Sequence, residues 1–238
     1  MKKIVLLLVI CVVGGFTCQS KPKDKLNTLS TKELKENWQL LFDGKTTDNW
    51  RGEKSSSFPQ KGWEINEGCL VSRGGGNIVT KQEYGNFDLK WEWKMETKGG
   101  NSGIKYFVKE NKGVVLGIEY QMLDDINFEW MSNGQMKPND YHTNAAVYEL
   151  YPTSPDKKNK PIGEWNESRI LSQGSHVEHW LNGIKIAEYE RGSDDFKARV
   201  AHSKFKDVDN FGLHAEGMLM LTDHESVVYF RNLKIRKF

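Results

Sequence analysis

Cysteine is almost absent from the body of this 238-residue chain: Cys11 and Cys18 lie near its start, and only Cys69 lies further on. A disulfide framework is therefore excluded, and a hydrophobic core must hold the fold, which a chain of this length can build as one domain. An excess of one charge is missing too. The 34 basic residues fall to 32 once Lys2 and Lys3 are removed, against 32 acidic ones. That balance excludes nucleic acid as a partner, because such binding rests on a basic patch that neutralises phosphates. Helical periodicity is nearly absent, and there is no internal repeat and no P-loop, zinc-finger or dinucleotide fingerprint. The apolar run 4–13 is too short to cross a bilayer, which takes about 20 apolar residues.

What is present at the start is an export signal. Met1-Lys2-Lys3, the apolar run and Gly14-Gly15-Phe16-Thr17 before Cys18 form a basic, then apolar, then small-residue sequence. Cys18 stands where a bacterial lipoprotein carries its lipidated cysteine. We therefore expect residues 1–17 to be a signal peptide, 18–36 a polar tether from the lipid anchor, and 37–238 one folded domain. The expected location is exported and membrane-anchored, in the periplasm or on the outer-membrane surface, with the membrane met only through the anchor.

Period-2 alternation dominates the rest. In Phe87-Asp-Leu-Lys-Trp-Glu-Trp-Lys-Met95 the apolar residues take every odd place and charged ones every even place, which is a strand with one buried face. The same reading covers 103–108, 114–123, 145–151 and 167–171. Asn182-Gly183 between two alternating runs predicts a β-hairpin with a type I′ turn. The closing strand slips phase at Arg231-Asn232, which predicts a bulge or a strand buried on both faces. A short helix is expected at 31–36. Two antiparallel sheets packed as an all-β sandwich follow, with two longer excursions at 124–143 and 153–164 that suit the shaping of a binding site.

The most informative segment is Gly117-Ile-Glu-Tyr-Gln-Met-Leu-Asp124. Ile118, Tyr120 and Met122 face one side, while Glu119 and Gln121 leave the other, roughly 7 Å apart at their bases and able to touch one sugar ring. Asp124-Asp125 closes the strand. Asn101 and Ser102, bounded by glycines, can present amide and hydroxyl groups to ligand hydroxyls. Asp223-His224 is a candidate acid/base pair, because a histidine titrates near neutrality and an adjacent carboxylate can set its charge. His142, His176, His179, His202 and His214 show no metal-ligand spacing, so no metal site and no cofactor is expected, with assistance by a divalent ion left open. Glu92, between Lys90 and Lys94, reads as part of a surface charge ladder. The aromatic supply, with Trp 8, Tyr 8 and Phe 11, suits a neutral carbohydrate partner.

Several segments resemble, in order, the 3-keto-disaccharide hydrolase family on the concanavalin A-like lectin/glucanase sandwich, a jelly roll. They are Leu40-Leu-Phe-Asp-Gly44 with Trp50, Trp63 to Gly68, Gly100-Asn-Ser-Gly-Ile104, Gly117 to Asp124, Gly163-Glu-Trp-Asn166, Trp180-Leu-Asn-Gly183, and Asp223-His224 through Asn232. The family's usual Gln-Asp-His-Gly stands here as Thr222-Asp-His-Glu225. The resemblance implies a sugar with a ketone at C3, which acidifies the C2 proton so that the C1 substituent leaves by elimination and water adds back. It implies Glu119 or His224 as base or acid, Gln121, Asn101 and Asp124 on sugar hydroxyls, and Arg231 on the enolate. Direct displacement by Glu119 and Asp124 is the other mechanism. A non-catalytic carbohydrate-binding module and a surface adhesion protein are the competing classes, because fold alone does not fix function.

Overall fold

The computed structural model describes residues 26–238; the expected signal peptide and Cys18 lie outside them. Among the described residues, thirteen strands form two sheets. In chain order they are β1 (Gln39–Leu40), β2 (Trp50–Gly52), β3 (Trp63–Asn66), β4 (Cys69–Ser72), β5 (Ile78–Tyr84), β6 (Phe87–Met95), β7 (Asn101–Asn111) and β8 (Val114–Leu123). They continue as β9 (Asn166–Gln173), β10 (His176–Leu181), β11 (Ile184–Glu190), β12 (Gly217–Asp223) and β13 (Val228–Lys237). One sheet runs β11-β10-β9-β6-β13-β4-β3, with β1 also on β13; the other runs β2-β5-β12-β7-β8. Every pairing is antiparallel, as the short links and alternating patterns require.

The core lies between the sheets. Phe87, Leu89, Trp91, Trp93 and Met95 all point inward from β6, and Ile118, Tyr120 and Met122 meet them from β8. Trp91 packs edge-on to Tyr120 with ring centroids 4.9 Å apart. Polar side chains pair with one another across this core. Tyr120 Oη lies 2.9 Å from Ser168 Oγ, which accepts from Trp93 Nε1 at 2.9 Å. Tyr106 Oη lies 2.8 Å from His179 Nε2 and 2.9 Å from Tyr189 Oη. Satisfied buried groups of this kind fix one packing, because any slip would leave them desolvated and unpaired.

The hairpin of β10 and β11 turns at Asn182 (φ 49°) and Gly183 (φ 80°), both left-handed as a type I′ turn demands. The phase slip in β13 is a bulge: the register on β6 shifts between Arg231 and Lys234, with Asn232 at φ 52°. The short helix α1 spans Thr31–Lys35 with a reciprocal capping box between Ser30 and Glu33.

Three expectations need correction. The tether stops short of residue 36, because Asn27 is buried in the domain. Its backbone N–H donates to Asn232 Oδ1 at 2.7 Å, and Asn232 N–H returns a bond to Asn27 Oδ1 at 2.8 Å. Residues 145–151 are a turn-rich segment with isolated bridges Tyr120↔Val147 and Val147↔Tyr151, because Ala145 and Glu149 both take φ 68° and break the ladder. A second helix, the four-residue α2 (Glu129–Ser132), precedes a longer one that periodicity did not reveal. This is α3 (Asp194–His202), capped by Ser193 Oγ accepting from Phe196 N–H, and its one buried residue, Phe196, gives it almost no apolar stripe to read.

Candidate active site

Glu119 sits midway along β8, the edge strand of the five-stranded sheet, on the side away from the core. Across β7 its partner is Lys105, and Gly103 pairs with both Gln121 and Thr222. Gly103 makes the site: a methyl group there would lie 2.3 Å from Glu119 Oε1, so the absence of a side chain is what lets the carboxylate fold over the sheet floor. Thr222 Oγ1 is 3.4 Å from Glu119 Oε1, and Lys105 Nζ is 3.8 Å from Oε2. Glu119 is buried at 6 % exposure and Gln121 at 4 %, although both leave the outer face.

The cover comes from residues 145–148, just after the first excursion, which fold back along the free edge of β8. Ala145 N–H donates to Gln121 O at 2.8 Å, Gln121 N–H to Ala146 O at 3.2 Å, and Tyr148 N–H to Glu119 O at 3.0 Å. Antiparallel pairing puts opposed residues on one face, so with Val147 and Tyr120 turned inward, Tyr148 stands beside Glu119. His179 holds this segment from beneath: its Nδ1–H donates to Ala145 O at 3.1 Å, and burial drives its pKa down to about 4, so the ring is neutral.

His224 follows the end of β12, two strands from Glu119. Its side chain reaches solvent at the rim, yet enough protein surrounds it for desolvation to lower its pKa, with Glu119 and Asp223 pulling it up and Lys105 and Lys204 pushing it down. Glu119, Lys105, Asp223 and Lys204 therefore all lie within electrostatic range of the His224 ring. Asp223 fixes the turn that carries the histidine. Its carboxylate accepts from Ser72 Oγ (2.9 Å), Gly76 N–H (2.7 Å) and Glu225 N–H (3.0 Å). Glu225 stands at φ 61°, the left-handed conformation that a glycine adopts without strain, so the turn keeps its shape despite the substituted residue.

The other expected site residues divide. Gln121 Nε2 reaches Asn101 Oδ1 at 3.3 Å, so this pair belongs with Glu119. Ser102 does not: it is 1 % exposed and donates to Thr222 O at 2.8 Å. Asp223 is a positioning residue rather than a free ligand for substrate. Asp124 Oδ2 accepts from Gly99 N–H and Asn127 Nδ2, at 2.9 and 2.7 Å, which makes it a clamp on the loop after β8 rather than a second acid. Arg231 lies on the opposite sheet, bonded to Glu92 at 2.7 Å and stacked 3.7 Å over Trp165, so it stabilises no enolate near Glu119. Lys105, Tyr148 and Lys204 were missed. Lys105 was legible as the next outward residue after Gly103, but the other two depend on a return to a sheet edge and on α3, which no local pattern encodes.

The two excursions are stitched together by a buried ion pair. Lys157 Nζ, with its side chain 6 % exposed, donates to Asp125 Oδ2 at 2.8 Å and to Thr143 Oγ1 at 2.8 Å, while Asp125 also accepts from Asn144 N–H and Asn159 Nδ2. A metal-like cluster was not expected from spacing, yet the hairpin brings ligand atoms of His176, Glu178 and Glu188 within 4.8 Å of one another. Lys185 already sits among them, 3.5 Å from Glu178 and 2.5 Å from Glu188, so an ammonium group stands where a metal cation would.

Two antiparallel sheets packed as a sandwich, with polar side chains covered on the outer face of the smaller one, are the build of a concanavalin A-like protein. The chain belongs to the 3-keto-α-glucoside-1,2-lyase-like domain family, whose pattern it matches over residues 37–236. It is 30 % identical over 228 residues to a 3-keto-disaccharide hydrolase of Bacteroides thetaiotaomicron, covering 82 % of this chain and 77 % of that one. Among solved structures it is similar to a candidate glycosyl hydrolase of Parabacteroides distasonis, at 35 % identity and a TM-score of 0.81, over 90 % of this chain and all of the other. A second such protein from the same species gives 27 % and 0.65, over 84 % and 99 %.

Proposed function

We propose that this protein cleaves glycosides bearing a C3 ketone, by acid–base chemistry at His224 with Glu119 as its electrostatic partner. The carrying observation is the buried Glu119 carboxylate folded over Gly103, within electrostatic range of a histidine whose neutral form burial favours. A neutral imidazole at neutral pH is a base. It takes the C2 proton, and the electron pair from that bond moves toward C3, placing charge on the ketone oxygen. Collapse of the enolate forms the C1–C2 double bond and expels the C1 oxygen, which collects the proton from the imidazolium. Water then adds at C1. Glu119 favours the imidazolium by its negative charge, and the Gln121 and Asn101 amides are placed to hold ring hydroxyls. A relative named for 3-keto-disaccharide hydrolysis and the 3-keto-α-glucoside-1,2-lyase-like family support this reading. A lectin-like role finds less support, because the aromatic faces of Trp165, Trp38 and Trp180 on the large sheet are covered by Arg231, Lys90 and Arg169.

The test is a pH profile of kcat/KM on a 3-keto-glycoside beside its unoxidised parent. Rate should fall on the acid side with an apparent pKa below about 6.5, the ordinary histidine value. Glu119→Gln should move that limb to lower pH and Lys105→Met to higher pH, since the carboxylate raises and the ammonium lowers the His224 pKa. Identical limbs in all three proteins would remove His224 from the mechanism. We also propose anchoring at Cys18; radiolabelled palmitate should mark the wild type in cells and not Cys18→Ser.

A further inference from the structure

The reaction read above leaves one demand unmet: charge gathers on the ketone oxygen, and Arg231, expected there, lies on the other sheet. We propose that Tyr148 is a further catalytic residue, its hydroxyl donating a hydrogen bond to the enolate oxygen, and that Lys204 is the positioning residue that aims it. This rests on the ketone-bearing substrate.

Three observations place Tyr148. Its backbone is bonded to Glu119 O, so its ring rises from the same face as the buried carboxylate. Lys204 Nζ donates to Tyr148 Oη at 3.1 Å and lies 4.2 Å over the same ring. An ammonium group carries only donors, so the phenol oxygen accepts from it and keeps its own O–H for another acceptor. The position of Lys204 is itself braced: it lies 3.8 Å from Glu149, which meets His142 Nε2 at 3.3 Å, while Arg199 of α3 donates to Leu150 O at 2.9 Å. Burial, then the charges of Glu149 and Glu119, push the Tyr148 pKa up to about 12, so the phenol keeps its proton throughout the working range. Glu149 holds φ 68° in this brace, a left-handed conformation whose cost the surrounding contacts must offset.

In the step itself His224 removes the C2 proton, the electrons of that C–H bond become the C2–C3 π bond, and the carbonyl π pair moves onto O3. The Tyr148 O–H meets that oxygen as it becomes negative; it transfers no proton. When the C1–O bond breaks, the pair on O3 returns to the carbonyl and the hydrogen bond relaxes. A donor aimed at developing charge acts mainly on kcat.

The experiment compares wild type, Tyr148→Phe, Lys204→Met and Lys204→Arg on a methyl 3-keto-glucoside carrying hydrogen or deuterium at C2. Tyr148→Phe should lower kcat about 100-fold with KM within twofold, and should enlarge the C2 isotope effect as proton removal becomes fully rate-limiting. Lys204→Met should lose about tenfold in kcat and Lys204→Arg should recover most of it. Lys204 has a half-exposed side chain, so its variants fold whether or not Tyr148→Phe does. Unchanged kcat in Tyr148→Phe or in Lys204→Met, or a loss seen only in KM, overturns the assignment while leaving the ketone reading intact. Wild-type protein that cleaves only the unoxidised glycoside overturns both.

Discussion

The two outer faces of the sandwich carry similar residue types and hold them in opposite ways. On the large sheet, Asp88 is 1 % exposed and takes both nitrogens of the Arg169 fork at 2.6 and 3.0 Å, with Arg236 at 3.1 Å. Glu92 receives Arg231 and Asn232, each at 2.7 Å, and Lys234 meets Glu33 at 2.9 Å. These pairs are closed, with each acid saturated by short bonds. On the small sheet, Glu119 is as shielded as a core residue, yet its side-chain neighbours stand at 3.4 and 3.8 Å. A shielded carboxylate lacking short bonds retains acceptor capacity for something else, and bond length separates Glu119 from the paired acids of the large sheet better than charge count does.

The sharpest way to break this comparison is at His224. Changing it to Asn should lower kcat/KM about 1,000-fold, roughly 4 kcal/mol of barrier, without moving the unfolding midpoint, because the ring is exposed. A variant retaining a tenth of wild-type turnover would place the chemistry elsewhere. The next effect is on stability. His179 titrates near 6.5 when unfolded and about 4 when folded, so unfolded chains bind the extra proton first and stability falls as pH drops from about 6.5 to 4. The loss is on the order of 3 kcal/mol, readable by urea unfolding across that range, and His179→Gln should flatten the slope. Gly103→Ala comes third. The added methyl should push the Glu119 carboxylate aside and reduce kcat between about 10- and 100-fold, equivalent to roughly 1.4 to 3 kcal/mol, with a crystal structure showing the displacement. Smallest of all, Arg231→Met should cost at most about 1 kcal/mol in chemical unfolding and leave turnover unchanged, as expected of a partly exposed ion pair on the far face. A large activity loss there would erase the distinction between the faces.

The sequence already contained most of the sandwich, because strands announce themselves locally. The alternation in β6, the Asn182-Gly183 turn and the slip at Arg231-Asn232 each encode their own geometry within a few residues. Glu119 and Gln121 were legible for the same reason: one strand fixes which side they leave. What failed needed distance information. Arg231 and Asp124 have suitable chemistry, but which sheet a strand joins and which loop a carboxylate clamps are decided by residues far along the chain, Glu92 and Gly99 among them. Tyr148 was hidden by a related problem, since its segment looks like an independent strand and instead borrows the edge of β8. α3 is short of apolar residues, so its best signal was the Ser193-Asp194-Asp195 start rather than any stripe.

The Asp125–Lys157 stitch has a consequence for how such a protein can diversify. Lengthening or trimming either excursion alone would strand a desolvated cation or its counter-charge, a penalty of several kcal/mol that no surface loop ordinarily faces. New substrate preferences should therefore arise by paired changes in both excursions or by side-chain replacement within fixed lengths, and libraries that vary one excursion alone should return mostly unfolded clones.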